Sequence, residues 1–209
     1  MSLTIAIPKG RLGTQAIEVF KAAGIGKSID EKSRKLVFKD ENRNINYILI
    51  KNTDVITYVE NGIADIGISG RDMIMENAAD IYELYKMNIG RCKMSVAGIK
   101  GKNVFKEGAV IKVATKFPET AKKYFGSIGR EIKIIKLNGS IELAPILGLS
   151  DVIVDIVETG KTLKANGLEV FEDICGISAM IISNKTSYEH KKKEIKEVIE
   201  LIRMEDSDG

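Results

Sequence analysis

A chain of 209 residues, 44% hydrophobic and 29% charged, with 32 basic side chains against 29 acidic ones, carries a formal net charge of +3. That length makes one domain or two small ones around a buried core, and the apolar fraction with balanced charge excludes a disordered chain. The slight positive excess is far from the basic stripe of a dedicated nucleic-acid binder, three prolines exclude a proline-rich design, and 6% aromatics with no tryptophan exclude a base-stacking platform.

Short apolar runs alternate with helical patterns, which predicts an α/β fold. Residues 3–7 read as a strand, followed by an amphipathic helix at 11–23 with Leu12, Ala16, Val19, Phe20 and Ala23 at helical spacing and Gly24 as its stop. Strands at 35–39 and 46–50 flank a polar turn at 40–44. A helix at 54–61, a strand at 65–69 and a helix at 72–77 follow. The second half repeats this grammar: a strand at 112–114, a helix at 118–125 opened by Pro118, a strand at 133–136, a helix at 141–147 and a strand at 152–156. Strands at 168–171 and 179–182 lead to a final helix at 187–203, striped by Val198, Ile199 and Ile202, and to a polar tail at 205–209 expected to fray.

The two halves echo each other. Gly62-Ile63-Ala64-Asp65-Ile66-Gly67-Ile68 parallels Gly148-Leu149-Ser150-Asp151-Val152-Ile153-Val154, and a strand runs into a lysine at Lys9 and again at Lys116. The expectation is two lobes of similar construction, residues 1–92 with 178–209 and residues 93–177, with a cleft between them.

Several chemistries drop out. Cys92 and Cys175 form no CxxC pair, so neither a disulfide framework nor a cysteine-ligated zinc site is expected. The single histidine, His190, sits in Tyr-Glu-His-Lys-Lys-Lys and reads as a solvated helix position, which removes a histidine relay or a histidine-held metal. The opening residues lack a signal peptide, and the uncharged run at 174–184 falls short of the roughly 20 residues that span a bilayer. A cytoplasmic protein with no membrane and no nucleic-acid partner is predicted.

Three strand ends remain as candidate sites. Asp155-Ile156-Val157-Glu158-Thr159-Gly160-Lys161-Thr162 leaves an apolar strand and opens a helix, offering backbone amides and two hydroxyls to a phosphate. Gly160-Lys161-Thr162 is not a Walker loop, because Asp155 stands where that motif needs glycine. An acidic residue there suits sugar hydroxyls, although an ordinary capped turn has the same composition. Pro8-Lys9-Gly10-Arg11 places a point charge and a guanidinium fork at the carboxyl end of the first strand, or is simply a basic surface turn. Ser69-Gly70-Arg71-Asp72 is a third such end, with Asp72 either a site residue or a helix N-cap. Glu142 either faces the same site or sits in a helical first turn.

These residues also carry a resemblance. Ile7-Pro8-Lys9-Gly10-Arg11-Leu12, the run from Asp54-Val55-Ile56-Thr57 through Gly67-Ile68-Ser69-Gly70-Arg71-Asp72, Leu137-Asn138-Gly139-Ser140-Ile141-Glu142-Leu143-Ala144-Pro145, and the segment 151–168 together resemble ATP phosphoribosyltransferase, in order and over nearly the whole chain. The resemblance implies a two-lobed α/β architecture similar to periplasmic binding proteins, one lobe inserted in the other, with the active site between them. It implies that N1 of the ATP adenine displaces pyrophosphate from C1 of phosphoribosyl pyrophosphate (PRPP), with Mg²⁺ held by the substrate phosphates and no metal held by protein ligands alone. Glu158, Thr159, Gly160, Lys161 and Thr162 would then hold the 5-phosphate and Asp155 the ribose hydroxyls. Lys9 and Arg11 would serve the pyrophosphate or the ATP phosphates, and Ser69, Gly70, Arg71, Asp72, Thr115, Lys116 and Glu142 would border ATP. Where the family usually has arginine this chain has Lys51, a leaving-group contact without the bidentate fork; proline is common at the position of Ile56. The length matches the short form, which implies a homodimer and a hetero-oligomer with a regulatory subunit resembling histidyl-tRNA synthetase. The alternative is a cytoplasmic phosphate- or nucleotide-binding module without catalysis.

Overall fold

Leu3, Ile5 and Ile7 alternate with smaller side chains, and the strand they form buries them in one core while Ala6 faces another on the opposite side of the sheet. A computed structural model describes residues 2–102, 104–106 and 108–206. The chain runs β1 (Leu3–Pro8), α1 (Arg11–Ala22), β2 (Val37–Asp40), β3 (Ile45–Ile50), a 3-10 turn (Asn52–Asp54), α2 (Val55–Glu60), β4 (Ile66–Gly70), α3 (Arg71–Asn77) and β5 (Ile81–Lys86). It continues through β6 (Cys92–Ile99), β7 (Ile111–Thr115), α4 (Pro118–Ser127), β8 (Ile132–Lys136), α5 (Leu143–Ile146), β9 (Val152–Val157), α6 (Lys161–Ala165), β10 (Leu168–Ile177), β11 (Ala179–Asn184), α7 (Lys185–His190) and α8 (Lys192–Asp206).

Two compact units result, residues 1–90 with 178–209 and residues 91–177, so the second is inserted in the first. The first holds a six-stranded sheet of order β2-β3-β1-β4-β11-β5, in which β3, β1 and β4 are parallel. Phe20 and Ile17 of α1 pack with Ile195, Ile199 and Ile202 of α8 on one face, and Val55, Ile56 and Val59 of α2 with Ile74 of α3 on the other. The second unit holds a sheet of order β10-β6-β9-β7-β8, with β9, β7 and β8 parallel. The sheet orders show how far the sequence echo extends. β7, β8, β9, β6 and β10 occupy the places that β1, β3, β4, β11 and β5 hold in the first sheet. Gly62 and Gly148, the two echoing helix-ending glycines, both take positive φ, 70° and 74°. This is the mixed α/β, periplasmic-binding-protein-like class expected.

Differences from the expected elements have local causes. β5 and β6 were not foreseen: Tyr-Glu-Leu-Tyr-Lys mixes charge into its alternation, and Met-Ser-Val-Ala-Gly has weak strand propensity. β10 runs six residues beyond Phe171, through register irregularities at Val170/Glu172 and Asp173/Cys175. The helix expected at 141–147 shrinks to α5, because Ser140 adopts φ 48° and Ile141 is used as a buried plug before the helix starts. The helix expected at 54–61 begins instead with the 3-10 turn. The last helix is two, broken at Lys191, whose ammonium turns inward to Asp65. The tail does not fray at Glu205 and Asp206: α8 includes both, and Asp206 is buried, accepting from the Tyr85 hydroxyl and the Asn88 amide. Residues 207–209 of that tail lie outside the described residues. Asp72 is not the N-cap of α3; Gly70 holds that position.

Candidate active site

The carboxyl ends of parallel strands are where open α/β sheets gather ligands. In the first unit Pro8 is paired with Ile50 in register, and the Lys9 amide donates to the Ile50 carbonyl at 2.7 Å. Lys9 and Lys51 therefore leave neighbouring parallel strands side by side. β4, the neighbour of β1 on its other side, delivers Ser69, Gly70, Arg71 and Asp72 to the same end of the sheet. Lys9, Arg11 and Lys51 are exposed, whereas Ser69 and Asp72 are buried. Burial pushes the Asp72 carboxyl up from the ordinary range, against amide hydrogen bonds that pull it down. The Arg71 guanidinium stands 4.0 Å from Glu83.

The turn out of β1 depends on two glycines. Gly10 takes φ 94°, a conformation that side chains rarely adopt, and Gly13 lets the first turn of α1 press against the Pro8 carbonyl. They border a cavity of about 290 Å³ whose lining includes Pro8, Lys9 and Thr14 together with Glu31, Arg34 and Lys35. Arg34 and Lys35 are the functional candidates that sequence reasoning missed. They lie in the irregular stretch between α1 and β2, Arg34 outside every expected element and Lys35 at the start of the strand expected at 35–39, which forms only from Val37. Arg11 and Lys51 do not line this cavity.

In the second unit, residues 155–163 and Glu142 line one cavity of about 260 Å³. Val152, Ile153 and Val154 are buried strand residues; from Asp155 onward the strand emerges, and the Asp155 carboxylate accepts the Ile156 amide at 2.9 Å. Gly160, in the left-handed conformation at φ 67°, turns the chain into α6. The walls present the Thr159 and Thr162 hydroxyls, the Lys161 ammonium and the carboxylates of Glu142, Asp155 and Glu158. Glu142 stands at the N-cap of α5, one position before its first turn, and lines the cavity of residues 155–163. Thr115 ends β7 fully buried, its hydroxyl donating to the Val154 carbonyl at 2.6 Å and accepting from the Phe117 amide at 2.8 Å. That hydroxyl shapes the turn into α4, and Lys116 is the exposed side chain it presents.

Among the described residues no group of three or more His, Cys, Asp or Glu side chains is arranged to hold a metal ion. No helix among them is long and apolar enough to cross a membrane. His190 is exposed at the end of α7, which gives it no part in either cavity.

Each of the two cavities is lined by hydroxyls and cations, and neither by a histidine. Comparison with known proteins gives the chain a family. Residues 51–204 match the family model described as HisG, ATP phosphoribosyltransferase. An ATP phosphoribosyltransferase of Clostridioides difficile (strain 630) is 59% identical over 199 residues, 95% of this chain and 96% of that protein. One from Bacillus mycoides (strain KBAB4) is 49% identical over 205 residues, 98% of this chain and 97% of that protein. Among solved structures, the ATP phosphoribosyl transferase (HisG:HisZ) complex from Thermotoga maritima is similar with a TM-score of 0.85 and 36% identity, covering 99% of this chain and 100% of that one. The chain belongs to the ATP phosphoribosyltransferase family, the pentosyltransferases that open histidine biosynthesis.

Proposed function

We propose that the cavity of residues 155–163 takes the phosphoribosyl end of PRPP, and that the chain transfers this group to N1 of the ATP adenine. The observation that carries the reading is the convergence of Asp155, Glu158, Thr159, Gly160, Lys161 and Thr162 on one cavity at a parallel strand end. Backbone amides, two hydroxyls and an ammonium suit the 5-phosphate, and Asp155 at the mouth of the strand suits the ribose hydroxyls. Lys9, Arg11 and Lys51 serve the pyrophosphate or the ATP phosphates, joined by Arg34 and Lys35, which line the same cavity as Lys9. Ser69, Gly70, Arg71, Asp72, Lys116 and Glu142 border the nucleotide, with Thr115 acting through the turn it holds.

The adenine N1 lone pair forms the bond to C1 while the C1–oxygen bond breaks and pyrophosphate leaves with the electron pair. The reaction centre becomes oxocarbenium-like and the leaving group carries the negative charge. Alignment and cations on the pyrophosphate lower that barrier, and no proton relay is needed. Mg²⁺ arriving on the substrate phosphates would neutralise part of the leaving-group charge; the carboxylates of Glu142, Asp155 and Glu158, spread over one cavity, fit a metal that arrives with its substrate rather than one caged by protein. The enzyme works in the cytoplasm, as a homodimer and with a regulatory partner resembling histidyl-tRNA synthetase. The Thermotoga maritima relative, solved as a HisG:HisZ complex, supports the partner.

Turnover tests this. With ATP, PRPP, Mg²⁺ and pyrophosphatase, the ultraviolet absorbance of phosphoribosyl-ATP should rise, either with the chain alone or once a HisZ-type subunit is added. ATP hydrolysis without PRPP would refute the assignment in favour of a nucleotide-hydrolysing enzyme, and no product in the presence of both substrates and the partner would refute it in favour of a binding module.

A further inference from the structure

Across the second sheet three polar residues stand in one row. Ser95 of β6 lies directly opposite Asp155 of β9 on one side and directly opposite Asp173 of β10 on the other. Opposed residues of antiparallel strands share a face. Here it is the face of Ala97 and Ile153, which cluster with Ala144 of α5 and Leu163 of α6. Lys93 precedes Ser95 by two residues on that face and stands opposite Val157, a wall of the 155–163 cavity. Ser95 is 1% exposed; its hydroxyl donates to Asp173 Oδ1 at 2.8 Å, and Lys93 Nζ donates to Asp173 Oδ2 at 2.5 Å. Ser95 has one proton to give, and it is directed at Asp173 rather than at Asp155.

We infer that Lys93 is a positioning residue for the phosphoribosyl substrate: by pairing with Asp173 it keeps another carboxylate charge out of the field of Asp155 and the neighbouring phosphate cavity. This rests on reading that cavity as the PRPP site. The cavity already carries Glu142, Asp155 and Glu158 against one lysine, Lys161, which is a poor balance for an anionic ligand. Asp173 lies two strands from Asp155, about 10 Å backbone to backbone, a separation at which salt screens incompletely. Lys93 and then Ser95 hold the Asp173 carboxyl below the usual carboxylate range, which favours its anionic form beside the cavity. As a stabilising contact the pair counts for little, with side chains 63% and 42% exposed. Its consequence falls on the cavity.

The test uses the full chain with its partner subunit, in Lys93→Met, Lys93→Arg and the double variant Lys93→Met/Asp173→Asn. Lys93→Met should raise KM and Kd for PRPP about three- to tenfold, leave kcat nearly unchanged, and move the acid limb of kcat/KM to higher pH. Lys93→Arg should behave as wild type. The double variant should recover PRPP affinity and the acid limb, because the anion leaves with the cation. An unchanged Kd in Lys93→Met, or a double variant as weak as the single one, would overturn the inference; the second result would mean that Lys93 touches the ligand itself. Asp155→Ala separates the two layers of argument. If it binds PRPP as wild type does, the reading of the cavity fails; if it loses PRPP while Lys93→Met does not, only the role of Lys93 fails.

Discussion

Gly13 lies against the carbonyl of Pro8, so close that a Cβ on it would overlap the oxygen. The contact joins the first turn of α1 to the end of β1 and thereby fixes where Lys9, Gly10 and Arg11 leave the sheet. The obstructing group is backbone, which cannot swing aside. Gly13→Ala is expected to destabilise the fold by about 2 kcal/mol and to depress turnover together with it, because relief requires moving the Lys9 turn. Chemical denaturation with parallel kinetics checks this, and an alanine variant with wild-type stability would show that the turn is loose.

Much of this site was legible because its motifs sit where strands end. A glycine and a charged residue after an apolar run are informative at 8–11, at 69–72 and at 155–162, joined by hydroxyls in the last two, since the same local chemistry ends a strand and suits an anion. Arg34 was not legible: nothing periodic precedes it, and the cavity that gives it meaning is closed by α1 from another part of the chain. The inserted unit was foreshadowed by the Gly62 and Gly148 echo, yet β5 and β6 were hidden because an exposed or glycine-containing strand does not alternate cleanly. The row of Ser95, Asp155 and Asp173 exists only through strand register, which no local pattern reveals.

Lys191 interrupts the C-terminal helices to place its ammonium 2.7 Å from Asp65 Oδ2 and 2.7 Å from the Ser2 carbonyl. The same carboxylate oxygen accepts the Thr4 amide, and the side chains are only 19% and 7% exposed. Lys191→Met leaves a nearly buried carboxylate without its cation, and should cost about 2–3 kcal/mol, read as a lower denaturation midpoint. Lys93→Met, at an exposed pair, should leave that midpoint unchanged. Equal effects at the two sites would contradict the distinction drawn from burial.

Tyr47 is fully buried, and its hydroxyl accepts the Gly26 amide at 2.9 Å. Burial pushes the phenol up to about 12, with the Gly26 hydrogen bond working against it. In the unfolded chain it titrates near 10. The unfolded state therefore loses this proton first as pH rises. The contribution of Tyr47 is complete below pH 10 and declines from there through about pH 12. Tyr47→Phe should cost about 1–2 kcal/mol at neutral pH through the orphaned Gly26 amide, while flattening the decline above pH 10. Unfolding midpoints measured across the alkaline range decide it; an unaltered alkaline slope would assign the decline to another group.

Lys51 follows Ile50 beside Lys9 at the end of two paired parallel strands. As a contact for the departing pyrophosphate it acts most where charge develops. Lys51→Ala should lower kcat by about tenfold or more while changing Kd for PRPP much less. Equal losses in both would make it a ground-state contact.

The most direct test of the account is equilibrium binding of Mg²⁺–PRPP to the chain and to Asp155→Ala, by titration calorimetry with unfolding midpoints measured alongside. The wild-type chain should bind, and Asp155→Ala should bind about tenfold more weakly or worse with its midpoint unchanged. Equal affinity in the two proteins would place PRPP elsewhere and contradict the assignment of the 155–163 cavity.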